Sequence, residues 1–135
     1  MDYNNTQNVL QLFLKHLSER NLSELVKLFS DSIDWYIPGD QTKAPWLGKR
    51  NSRQQIAEFY EMLWQQTEPI SVAIDHIYID ENKAVIAGAF STKMLATNKI
   101  TDSLFFIQLL VENDLIMQFR LLEDTLAVAQ SLKIE

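Results

Sequence analysis

A chain of 135 residues, 47% of them apolar and 10% aromatic, with only 3 Gly and 3 Pro, reads as one domain with an ordinary core and little room for linkers or disordered tails. Its 12 basic and 18 acidic residues leave a net charge of −6, which phosphate backbones and anionic membrane surfaces repel, so neither nucleic acid nor membrane is an expected partner. The absence of Cys excludes disulfides, thiolate nucleophiles and thiolate metal sites.

Met1 to Asn8 is polar, with neither the basic nor the apolar segment of a secretion signal. No apolar run approaches the roughly 18 residues of a membrane span, and the expected address is cytoplasmic. Val9, Leu10, Phe13, Leu14 and Leu17 then recur with helical spacing and predict a helix over Thr6 to Arg20. Asn21 followed by Glu24 has the pattern of a capping box, and a short second helix is expected over Leu22 to Phe29. Ile33, Trp35 and Ile37 alternate with Asp34 and Tyr36, the period of a strand, which Pro38 and Gly39 stop.

A loop to about Trp46 follows. The cluster Lys43, Lys49, Arg50 and Arg53 falls across that loop and the next helix start, where it reads as a solvated rim or an anion site. Ser52 with Gln55 is a second capping pattern, and Ile56, Phe59, Tyr60, Leu63 and Trp64 mark one face of a third helix that ends before Pro69. From Ile70 onward, polar clusters at Asp80 to Lys83, Thr97 to Lys99 and Glu112 to Asp114 divide the chain into four β-rich runs, an antiparallel meander. Gly88 inside the second run marks a bulge or bend, which a long sheet needs if it is to wrap helices. Leu126, Ala129 and Leu132 read as a short C-terminal helix. The sum is an α+β domain over residues 1–135: a cone-shaped, strongly bent antiparallel sheet wrapped around three helices from the N-terminal half, with a short helix at the end.

Both faces of the run Ser103 to Val111 are apolar, and helices cover only one, so the outer face is expected to pair with a second copy as a homodimer. Arg120 alternates with Phe119 and Leu121 and belongs on the outer face, within reach of an acid or a second subunit. Gln108 and Asp102 share a strand face with Leu104, Phe106 and Leu110, where a polar group needs a partner. His16 and His76 stand apart with no evident carboxylate cage, so no metal and no cofactor are expected. Asp124 opens the last helix and reads either as its N-cap or as an acid or base; the two roles conflict, because helix N–H groups lower a carboxyl pKa that a general acid needs raised.

Several segments resemble the nuclear transport factor 2-like superfamily, which includes ketosteroid isomerases, limonene epoxide hydrolase and SnoaL-type polyketide cyclases. They are Arg20-Asn21-Leu22 with Leu25 to Phe29, Trp35 to Gly39, Pro45 to Gly48, Ile56 to Tyr60, and Phe119 to Thr125. The resemblance implies the cone fold and an apolar pocket. It places Phe13 where the isomerases keep a donor tyrosine, Ile37 or Tyr36 where they keep a base, and Phe105 to Ile107 where they keep a protonated aspartate, so those roles are vacant. The epoxide hydrolase's arginine and aspartate fall near Gly88 and Phe90; Asp124 alone matches its last aspartate and the cyclases' carboxylate. Trp35, Tyr36, Trp46, Phe59, Tyr60, Trp64 and Phe90 fall in elements that the superfamily folds around its cavity, and with Phe13, Phe106 and Phe119 they form the candidate lining. The expected ligand is a small, largely apolar molecule, handled by an isomerase, cyclase or hydrolase type of reaction or merely bound; whether the chain is an enzyme stays open.

Overall fold

The computed structural model describes residues 2–134, with side chains from Asn5 onward. Met1 and Glu135, which the sequence reading included in the domain, lie outside the described residues. The elements are α1 (Asp2–Glu19), α2 (Leu22–Val26), β1 (Phe29–Ile37), β2 (Gly48–Arg50), α3 (Arg53–Gln66), β3 (Thr67–Asp80), β4 (Lys83–Met94), β5 (Lys99–Glu112), β6 (Leu115–Glu123) and α4 (Thr125–Ser131). The strands form a single six-stranded sheet in the order β2-β1-β6-β5-β4-β3. The meander β3 to β6 is antiparallel, as expected, while β1 joins its end parallel to β6.

The helix starts follow the expected chemistry with one substitution of partner each. Asn21 Oδ1 accepts from the Glu24 N–H at 3.4 Å, but the Asn21 N–H already donates to His16 O to close α1. Glu24 therefore has no backbone donor to reach back for, and it pairs with Lys27 at 2.8 Å. At α3, Ser52 Oγ accepts from the Gln55 N–H, and Gln55 Oε1 accepts from Asn51 N rather than from Ser52 N.

Two boundaries differ from the sequence reading. The second helix stops at Val26 because Phe29 is drawn into the parallel ladder, opposite Ile116 of β6. The expected loop ends in β2, which pairs antiparallel with β1 from Trp35↔Arg50 to Ile37↔Gly48. Ile116 is far from Phe29 in sequence, and β2 is too short to show an alternating pattern of its own, so local pattern carried no sign of either pairing. Two of the four basic residues serve this arrangement, Arg50 donating to Gln55 O and Trp46 O and Arg53 Nε donating to Phe29 O at 2.7 Å, while Lys43 and Lys49 are exposed.

Gly88 stands where the sheet bends. A Cβ there would meet Ala73 O at 2.3 Å and the Phe105 ring at 2.9 Å, so no other residue fits without a shift. Beside it the β3–β4 register slips between Ile74↔Gly88 and His76↔Ala87, leaving Asp75 bulged. The extra residue thus lies on the partner strand of the glycine that signalled it.

Candidate functional site

Strand alternation sorts each candidate to a face, and β5 shows which face is inside. Thr101, Ser103, Phe105, Ile107, Leu109 and Val111 are buried, whereas the even-numbered residues between them are largely exposed. Register carries the same assignment to β6, where Phe119, Leu121 and Glu123 lie opposite Leu109, Ile107 and Phe105 on the inner face.

Six of the candidate aromatics meet in the core of the cone. Phe13, Trp35, Trp46, Phe59, Tyr60 and Phe119 are buried. Trp35 stacks on Phe119 with ring centroids 3.9 Å apart, and its edges meet Phe29, Phe59 and Tyr60 at 5.7, 4.9 and 6.1 Å. Phe13 sits edge-on to Phe29 and Phe119, both at 6.2 Å. Each such pair adds about 0.5–1.5 kcal/mol beyond the area it buries, so this cluster is first a packed core. Two polar atoms inside it are unusual. The Trp35 Nε1–H is buried without an acceptor among the described residues, and burial pushes the Tyr60 hydroxyl pKa upward.

The other four candidates lie elsewhere. Trp64 is half-buried at the edge of the cluster, 5.3 Å from Tyr60, with the Arg20 guanidinium 5.3 Å from its ring. Phe90 is half-buried on the inner face, 6.1 Å from Phe105. Tyr36 and Phe106 are corrections. Trp35 and Ile37 take the inside of β1, so Tyr36 faces outward beneath Lys49, 5.7 Å from its ring. Phe106 is 51% exposed on the outer face, opposite Leu122 and remote from the Trp35 cluster.

Asp124 is the N-cap of α4. Its Oδ1 accepts from the Ala127 N–H at 3.0 Å, its own N–H donates to Ser103 Oγ at 2.8 Å, and the side chain is exposed. At the end of β6 a shallow depression of about 250 Å³ is bordered by Leu104, Phe106 and Leu122 of the outer face together with Glu123 and Asp124, so Glu123 meets open space at the rim of the sheet. Arg120 is on the outer face as expected and meets an acid there: its Nη2 lies 2.9 Å from Asp34 Oδ2. That hydrogen bond holds the Asp34 carboxyl below its ordinary pKa.

The residue that sequence reasoning missed is Glu123. It ends β6 on the inner face, in register with Phe105, whose ring neighbours Phe90. Its carboxyl has no hydrogen-bond or ion-pair partner among the described residues, and burial pushes its pKa up to about 7. The signal was in the chain: the alternation that sends Arg120 outward sends Phe119, Leu121 and Glu123 inward. A partly buried, unpartnered carboxyl that titrates near neutrality suits general acid–base work, whereas the solvated cap Asp124 does not.

The sequence pattern of the SnoaL-like domain matches residues 10–117. No curated protein sequence matches the chain. Among solved structures, a nuclear transport factor 2-like protein from Burkholderia xenovorans is similar with a TM-score of 0.86 and 16% identity over 98% of this chain and 99% of its own. An epoxide hydrolase of the limonene epoxide hydrolase-like type from Mycobacterium tuberculosis superposes with a TM-score of 0.75 and 11% identity, over 98% and 92% of the two chains. A protein with a ketosteroid isomerase-like fold from Catenulispora acidiphila, solved with trimethylamine, matches at 0.75 and 12% over 94% and 93%. At such identities the likeness is one of fold.

Proposed function

The chain belongs to the SnoaL-like domain family, and from that premise we propose that it binds a small, largely apolar molecule at the Glu123-bearing end of its sheet and transforms it by proton transfer through Glu123. The observation that carries this reading is the inner-face carboxyl itself, unpartnered beside Phe105 and raised to about 7. At neutral pH such a group exists in both forms, so it is able to take a proton from a substrate and return it. Phe105, its partner across the ladder, supplies apolar surface beside it, and the Phe90 ring lies 6.1 Å beyond. Trp35 is not its partner in chemistry: Phe119, on which Trp35 stacks, precedes Glu123 by a strand distance of roughly 13 Å. The reaction is of isomerase, cyclase or hydrolase type, run without the ketosteroid isomerase residues, whose first position holds the buried Phe13.

A second reading is favoured by a different observation. The rings at the centre of the cone pack against one another, which suits a non-catalytic ligand-binding or protein-interaction module of the same fold. In either case the protein acts in the cytoplasm as a homodimer through its outer sheet face, where Leu104, Phe106 and Leu122 are 65%, 51% and 52% exposed. Among the described residues no helix is long and apolar enough to cross a membrane.

Native mass spectrometry of the purified protein, compared with the denatured chain, identifies the molecule it retains. Glu123→Gln is expected to keep that molecule while slowing its conversion by about two orders of magnitude or more. Conversion at the wild-type rate would refute the role of Glu123, and retention without conversion by either protein would establish the binding module.

A further inference from the structure

β3 is the free edge of the sheet, and an edge strand offers unpaired N–H and C=O groups to any extended chain that reaches it. Its first part is protected. Pro69 removes one donor, and register shifts at Pro69/Ser71 and Ile74/His76 break the regular spacing that a new strand would need. From His76 to Asp80 the ladder with β4 is unbroken, and no proline interrupts it. Beside this regular stretch the structure leaves a cleft of about 460 Å³ between α1 and β3, lined by Gln7, Leu10, Gln11, His76, Ile77, Tyr78 and Ile79.

The cleft is built in two layers. Leu10, Ile77 and Ile79 give it apolar surface, while Gln7, Gln11, His76 and Tyr78 bring polar groups that have no hydrogen-bond partner among the described residues. Asp75 and Asp80 flank the lining stretch on β3, Glu81 follows, and none of the three forms an ion pair among the described residues.

We propose that this cleft takes up an extended, apolar and basic peptide segment of a partner protein, which adds as a further strand along His76–Ile79 of β3. Main-chain bonds to the edge would provide affinity, and alternate side chains would seat on Leu10, Ile77 and Ile79. The acidic flanks select a basic segment. They also argue against a second copy of β3: antiparallel self-pairing centred between Ile77 and Tyr78 sets Asp75 opposite Asp80 at both ends, and like charges directly opposite destabilise a ladder.

The test uses a fluorescein-labelled octapeptide alternating valine and lysine, its alternately N-methylated form and a valine–glutamate counterpart, titrated against the full chain by anisotropy. The valine–lysine peptide is expected to bind, with slowed amide hydrogen exchange at His76–Ile79. N-methylation, which removes the donors but keeps the side chains, should weaken binding by about tenfold or more. Gln11→Trp, which fills the cleft from an exposed helix position, should do the same with unchanged melting. Asp75→Asn with Asp80→Asn should weaken binding several-fold and flatten its salt dependence. No binding below about 1 mM, equal binding of the N-methylated or glutamate peptide, or full binding by Gln11→Trp overturns the proposal.

Discussion

Glu123 ties stability to pH in a direction that most carboxylates do not. Its carboxyl pKa rises from 4.5 to about 7 on folding, so the fold favours the neutral acid. Below 4.5 the group is protonated in both states and costs nothing. As pH climbs from 4.5 toward 7 the unfolded chain ionises first and folding must take up a proton, so stability falls; above 7 the cost is constant. At about 1.4 kcal/mol per pH unit the full cost is about 3 kcal/mol, which water at the partly exposed side chain trims to about 1–3 kcal/mol. Glu123→Gln keeps the shape and does not titrate. Urea denaturation of both proteins should show the variant gaining on the wild type by about 1–2 kcal/mol between pH 5.5 and pH 8.5. Titrations that the two proteins share cancel in the difference. A difference that is flat over this range would refute the burial of the Glu123 carboxyl and, with it, the proposed chemistry.

Two further outcomes follow from the outer face and the last helix. Asp124→Asn should be nearly neutral and Asp124→Ala should cost about 0.5–2 kcal/mol in thermal melting, since the side chain caps α4 through the Ala127 N–H and asparagine caps about as well; a costly Asn variant would mean that the negative charge matters beyond the cap. In sedimentation at micromolar concentration the wild type should run at about twice 15.7 kDa and Phe106→Lys as the monomer with its melting temperature kept, whereas a monomeric wild type would refute the homodimer.

Most of the element order was legible because its signals are local. The helical stripes of α1 and α3, the caps at Asn21, Ser52 and Asp124, and the polar turns that divide the meander all depend on residues within a few positions of one another. Gly88 was legible for the same reason, since a side chain missing from a strand interior reports a close backbone approach, here Ala73 O. What was illegible rests on distant partners. β2 exists because β1 lies beside it, and Phe29 leaves the helical pattern because Ile116 pairs with it.

The candidate site divides along the same line. Alternation by itself determined which residues travel together: Phe119 with Leu121 and Glu123, Arg120 against them, Trp35 against Tyr36, and Leu104 with Phe106. Arg120 marked the outer face of β6, but for β5 alternation did not say which set is inside, because both of its faces are apolar and hydrophobicity alone does not break that tie. Only the packing of α1 and α3 onto one side decided it, sending Tyr36 and Phe106 out to the surface, and only the tertiary structure withdrew water from Glu123, which shifts its proton affinity.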